Sequence, residues 1–151
     1  MLGGRWCCLL RVIAGSSRSG DGLATIIRTL LEIGADPNSQ DYAGFPPLIA
    51  ALSCSRAQAA VPGRPGVADI IKLLLLFGAD PNQRGLNDYT PLHMAASERN
   101  LPAVELLLEA GADPRLQTRI DDCEAPREIA EKAGFHEIAE LLATYEVRLG
   151  K

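Results

Sequence analysis

The chain has 151 residues, of which 47% are apolar and 23% charged, a balance that belongs to one soluble globular domain and excludes disorder throughout. Fifteen basic against nineteen acidic residues leave a net charge of −4, which gives no basic footprint for nucleic acid. The apolar runs, such as residues 73–79, are far shorter than the roughly 20 residues of a membrane span.

Residues 1–22 read as an irregular N-terminal segment. Arg5 precedes a short apolar stretch that Arg11 interrupts after about five residues, fewer than the 7–15 of a secretory h-region. A cytoplasmic protein is therefore expected. Adjacent Cys7 and Cys8 do not form the C-x-x-C loop of a zinc site, and Cys54 and Cys123 supply no second pair. A chain this apolar needs no disulfide staples, so reduced thiols are expected. Residues 15–22, GSSRSGDG, have the composition of a flexible loop, and a helix is predicted from Thr25 to Ile33. Charge is uneven along the chain: residues 1–66 carry six Arg against four acids, and residues 67–151 carry nine bases against fifteen acids.

Laid against itself, the chain repeats. Three apolar blocks, IIRTLLEIGAD, IIKLLLLFGAD and AVELLLEAGAD, end in Gly-Ala-Asp followed by Pro, with the glycines at 34, 78 and 111. A fourth block, IAELLATYE, spans residues 138–146 and lacks the glycine. Pro47-Leu48, Pro91-Leu92 and a weaker Pro126-Arg127 follow the glycines at 13, 13 and 15 residues. In the best-formed unit Thr90 offers a side-chain oxygen as N-cap, and Pro91 supplies a fixed φ where no N–H is needed. Leu92, Ala95 and Ala96 make one small apolar face. After a turn at Arg99-Asn100, Val104, Leu107 and Leu108 form the stripe of a second helix, which Gly111 ends in the left-handed conformation. Asp113-Pro114 then begins an extended segment toward the next cap.

A 33-residue period with Thr90-Pro91-Leu92-His93-Met94-Ala95 resembles the ankyrin-repeat family over about residues 20–146. The resemblance implies an all-α repeat solenoid, an ankyrin-repeat stack of helix-turn-helix units with β-hairpin-like fingers. It places about four units in residues 23–146, divergent at both ends, and a tail at 147–151. Arg outnumbers Lys twelve to three, and short arrays of this style resemble bacterial ones. Since one unit buries too little alone, stability comes from stacking neighbours. The histidine of this motif resembles a structural residue that ties adjacent fingers, so His93 is read as structural, and His136 as a surface residue.

Several features depart from the pattern. The 44-residue spacing holds eleven extra residues, from about Ser55 to Pro65, whose Pro and Gly predict a loop between the two helices. That loop is tolerated length or a contact element; tolerated length is favoured because closure entropy grows slowly. Residues 9–14 stand poorly for a first helix, so the first unit is either a degenerate cap or the array starts upstream of Met1. In the last unit Arg127, Glu128, Glu131 and Lys132 give the polar face of a terminal cap.

No catalytic constellation is found and no cofactor is expected. The chain has no phosphate-loop pattern, and Asp121, Asp122 and Glu124 lack the alternating ligands and turn glycine of a calcium loop. The resemblance implies a non-enzymatic protein–protein interaction module, an adaptor or scaffold, that binds with finger tips and the exposed face of first helices. The family's variable finger positions fall on Tyr42, Ala43 and Phe45, then on Leu86, Asn87 and Tyr89, then on Asp121, Asp122 and Glu124. Ser97, Glu98 and Lys132 continue this surface on the helices. In the second finger Gly85 and Asp88 replace the usual Asp and Gly. Aromatic anchors contribute about 2 kcal/mol or more each to such interfaces, although Tyr42, Phe45 and Tyr89 have the alternative of packing between fingers. The expected partner is a protein with an apolar surface flanked by Lys or Arg, bound by a monomer. An alternative is a regulatory or inhibitory subunit whose acidic C-terminal half blocks an enzyme or toxin-like partner, and a third is a piece of a larger chain.

Overall fold

The computed structural model describes residues 20–40, 44–53, 67–119 and 123–150. Readings that concern the N-terminal segment, Cys7, Cys8, Cys54, the 55–65 loop, Tyr42, Ala43, Asp121 and Asp122 lie outside the described residues. Each apolar block folds as a helix, and each Pro-Leu or Pro-Arg site opens a shorter one. Seven α-helices are described: α1 (Gly20–Glu32), α2 (Pro47–Ser53), α3 (Val67–Leu76), α4 (Pro91–Ser97), α5 (Leu101–Glu109), α6 (Pro126–Lys132) and α7 (His136–Leu149). No strand is assigned among the described residues. The short helices α2, α4 and α6 all begin at proline, which supplies helical φ at the one turn where its missing N–H costs nothing.

Two compact units divide the chain, Met1–Asp80 and Pro81–Lys151. In the first, α1 and α2 both pack on α3, burying Leu23, Ile27, Leu31, Leu48, Ile49, Leu52, Ile71 and Leu74. In the second, α4 packs on α5 and α6, and α7 packs on α5 and α6. Alanine carries much of that contact: Ala95, Ala96, Ala103 and Ala130 are fully buried beside Leu92, Val104, Leu107 and Leu142. Small side chains let short helices approach closely while the leucines fill the space between them.

Two ends differ from expectation. Helix α1 starts at Gly20, five residues before Thr25 and inside the stretch of loop composition, because burial of Leu23 one turn before Ile27 draws that turn into the helix. Helix α7 continues to Leu149, through most of the expected tail. Glu146, which accepts from Arg127 Nη1 at 3.3 Å, anchors that last stretch to α6, and the Arg148 guanidinium lies 5.2 Å from the Tyr145 ring centroid.

The Gly-Ala-Asp corner has a fixed construction. Gly34, Gly78 and Gly111 have φ of 93, 89 and 94°, where a side chain costs about 1 kcal/mol. In the last of these, the Gly111 N–H donates to Leu108 O at 3.1 Å and the Ala112 N–H to Leu107 O at 2.9 Å, closing the orphan carbonyls of α5. The aspartate then nucleates the turn: the Asn38 N–H donates to Asp36 Oδ1 at 2.8 Å, and the Arg115 N–H to Asp113 Oδ1 at 3.0 Å.

The residue after Gly-Ala-Asp-Pro joins successive corners. Asn38 Nδ2 donates to Gly78 O at 2.9 Å while its Oδ1 accepts from the Asp80 N–H at 2.7 Å. Asn82 repeats this one unit later, with Nδ2 to Gly111 O at 3.0 Å and Oδ1 accepting from Asp113 N at 2.7 Å. One carboxamide thus satisfies a backbone acceptor and a backbone donor two residues apart, which no charged side chain can do. The third such position is Arg115, where no further Gly-Ala-Asp follows. Its guanidinium instead forks onto Asp113 at 3.0 and 3.2 Å, holding that carboxyl below the usual carboxylate range against the smaller opposing effect of burial.

Two substitutions separate these elements. Asn82→Ala is expected to lower stability in urea by about 1–2 kcal/mol by orphaning both backbone groups, whereas Arg115→Ala leaves the midpoint unchanged. Gly111→Ala is expected to cost about 1 kcal/mol from backbone strain alone, since an added Cβ there meets nothing within 4 Å. Equal losses for Asn82→Ala and Arg115→Ala would contradict this account.

Candidate protein-binding surface

The second finger is a tight loop. Its base is closed by the Gly85 N–H donating to Tyr89 O at 2.7 Å, and its tip by the Asp88 N–H donating to Gly85 O at 3.2 Å. Asn87 and Asp88 are consecutive left-handed residues, with φ of 63 and 60°. Asn and Asp are the side-chain-bearing residues that tolerate this region best. Leu86 is thereby held at the tip with 52% of its surface exposed.

Asp88 explains one departure from the family pattern. The residue three before each helix-opening proline is left-handed in all three fingers, at Gly44 (φ 81°), Asp88 and Cys123 (φ 54°). Asp88 adopts the glycine conformation and adds a charge there. Its carboxylate pairs with Arg119 Nε at 2.7 Å and with Arg84 Nη1 at 3.8 Å. Arg84 also donates to Gln117 O at 3.1 Å, so the second finger is bound to the third by two arginines. Pairs this exposed contribute about 0–1 kcal/mol each; what they add is a fixed position for the loop.

The third finger closes two residues wider, with the Thr118 N–H donating to Glu124 O at 3.0 Å. That carbonyl also receives the Nε2–H of fully buried His93, at 3.1 Å across 31 residues. The tautomer follows from the other nitrogen. The Thr90 N–H donates to His93 Nδ1 at 3.2 Å and the Thr90 hydroxyl lies 2.7 Å from it, so Nδ1 is the acceptor and Nε2 carries the proton. Burial pushes the His93 pKa down, with the Arg84 charge adding to the effect and the Glu124 carbonyl opposing it. His93 is therefore a neutral latch between the α4 cap and the third finger, in line with its structural reading, and the Tyr89 ring packs 5.3 Å from the imidazole.

Of the expected site residues in the second unit, Leu86 and Asn87 are exposed at the finger tip, and Tyr89, Ser97, Glu98 and Glu124 are half-buried. Tyr89 is seated against His93, which leaves Leu86 as the open apolar side chain of this finger. The Glu124 carboxylate pairs with Lys132 of α6. Phe45 is half-buried in the first unit. Asn38 and Asn82 were not among the expected functional residues, yet their recurrence after Gly-Ala-Asp-Pro, against Arg115 in the last unit, was a visible signal. Elsewhere a cleft of about 360 Å³ between Leu101 and Phe135 is bordered by Arg99, whose guanidinium lies 5.5 Å from the Phe135 ring centroid. No group of three or more His, Cys, Asp or Glu among the described residues is placed to hold a metal ion, and none of the described helices is long and apolar enough to cross a membrane.

Corner, capped short helix and finger recur as one unit, and the comparison with protein families agrees. The family model described as ankyrin repeats, three copies, matches residues 16–118 and 57–150. The chain belongs to the ankyrin-repeat family, an all-α repeat fold whose members generally act as protein–protein interaction modules. A comparison with curated proteins finds no match.

Because the unfolded chain protonates His93 near its ordinary value of about 6.5 and the folded chain resists, stability falls as pH drops below that value. Protonation would also turn Nδ1 from acceptor to donor, facing the Thr90 N–H. The urea midpoint is expected to fall between pH 7 and pH 5, by at most about 1.4 kcal/mol per pH unit from this group. His93→Gln should be less stable at pH 7 and show a shallower decline. A decline as steep as in the parent chain would exclude His93 as its source. Asp88→Gly is expected to leave stability within about 1 kcal/mol, because relief of the left-handed strain offsets the lost pairs, while the Leu86 amide becomes faster in hydrogen exchange.

Proposed function

We propose that the chain is a non-enzymatic protein-binding module, an adaptor that holds a partner protein on its finger tips and the adjoining face of α4. Leu86 carries the reading: a large apolar side chain stands half out of a loop whose base, tip and flank are each pinned by hydrogen bonds or ion pairs. A rigid apolar anchor binds without the entropy cost of ordering a loop. Asn87, Tyr89, Ser97, Glu98 and Glu124 are proposed to share this surface, and Tyr42, Phe45, Asp121 and Asp122 are proposed as further contact residues. The partner is a protein with an apolar recess for Leu86 and Lys or Arg side chains facing the acidic side. The module acts in the cytoplasm as a monomer and carries no cofactor.

The test is capture of partners from the source lysate on immobilised protein, identified by mass spectrometry, beside Leu86→Ser and Tyr42/Phe45/Tyr89→Ala variants of matched helicity. Loss of a captured protein from the Leu86→Ser variant, with binding at least about tenfold weaker, is expected. Retention of every captured protein at parental affinity would overturn the assignment.

A further inference from the structure

In the second unit two turns between helices, Arg99-Asn100 after α4 and Gly134-Phe135 after α6, border one cleft. They share one construction. The Arg99 N–H donates to Ala96 O at 3.2 Å and the Asn100 N–H to Ala95 O at 3.0 Å; the Gly134 N–H donates to Glu131 O at 3.0 Å and the Phe135 N–H to Ala130 O at 2.8 Å. Each turn takes its first residue left-handed, and where one has Gly134 (φ 76°) the other has Arg99 (φ 53°). Arginine is not among the side chains that enter this region readily, and strained residues of this kind gather at functional sites.

The strained residue sends its side chain to the cleft. The Arg99 guanidinium lies over the Phe135 ring, 5.5 Å from its centroid, and among the described residues no carboxylate pairs with it. A guanidinium seated by its face on a ring keeps its edge N–H groups as a planar fork, the shape that matches a carboxylate. Past the ring the cleft runs to half-buried Leu101 and buried Ile138. Its volume of about 360 Å³ is at the small end of ligand sites, room for one or two side chains. Exposed His136 and Glu137 border it on the α7 side. One negative charge therefore suits Arg99, while a doubly charged group meets repulsion from the Glu137 carboxylate.

We propose that this cleft is a second protein-docking site, which takes an extended partner segment carrying Asp or Glu beside a large apolar residue. The carboxylate lies on the edge of the Arg99 guanidinium, and the apolar side chain fills the space between Leu101, Phe135 and Ile138. The seven residues of α4 separate this turn from the second finger by about 10 Å of helix. None of the finger residues takes part, so the two assignments stand or fall independently.

The probe is the blocked peptide acetyl-Gly-Leu-Asp-Leu-Gly-amide, titrated into the ¹⁵N-labelled full chain and followed by NMR. Saturable shifts of the Arg99 Nε–H and of the Leu101 and His136 amides are expected. The same peptide with Asn for Asp should bind about tenfold more weakly, as loss of a charge-assisted pair implies. Arg99→Gly relieves the left-handed residue, so its urea midpoint should be equal to or above the parent's while peptide binding falls about tenfold. Leu86→Ser should leave peptide binding unchanged. A lowered midpoint for Arg99→Gly would make Arg99 a structural residue and overturn the proposal. So would the absence of a saturable shift, equal binding by the Asn peptide, retained binding by Arg99→Gly, or shifts confined to the finger amides. Tighter binding by a phosphoserine peptide would overturn the choice of a carboxylate.

Discussion

The carboxamide of one asparagine, set against a glycine carbonyl and an aspartate N–H two residues apart, is the bond on which the repeat geometry depends. The Gly-Ala-Asp corner ends one helix and aims the chain into a finger, but a corner alone leaves the next unit free to slide. Asn38 and Asn82 remove that freedom, because each side chain reads two backbone atoms at once and only one register satisfies both. Everything beyond the corner, including finger length and the entry into each short helix, is built from a position already fixed.

The same economy appears at the third residue of each short helix, where Ile49, His93 and Glu128 occupy one structural position in three chemical forms. Ile49 is fully buried and contributes packing alone. His93 is equally buried but holds the Thr90 cap with one nitrogen and the third finger with the other. Glu128 is exposed and reaches back only to the Ala125 N–H, at 2.7 Å. The residue follows its surroundings: Ile49 fills a core, His93 spans to the finger that follows it, and a solvated carboxylate completes the helix start in the polar last unit.

The acidic C-terminal half takes part in ordering as well as solubility. Asp88, Glu124 and Glu146 are committed to Arg119, Lys132 and Arg127, each tying one element to the next. Singly such surface pairs are weak. Together with backbone closures they keep the fingers from fraying, the condition for an exposed leucine to act as an anchor.

Much of this was legible in the sequence. Thr90 as cap, proline at the helix openings, the Leu92, Ala95 and Ala96 face, the Val104, Leu107 and Leu108 stripe and Gly111 as a left-handed stop all lie where periodicity and capping chemistry put them. These depend on residues within about four positions of each other, so local sequence suffices. The ends of α1 and α7 were less legible, because burial of Leu23 and the Glu146 pairing act against local composition. What only the tertiary structure decided is which distant atoms meet: Asn38 with Gly78, Asn82 with Gly111, His93 with Glu124, Asp88 with Arg119. Those partners are about thirty to forty residues apart, and a hydrogen bond demands placement to a few tenths of an ångström. Periodicity specifies that two units are neighbours; only their packing sets the register in which a donor faces an acceptor.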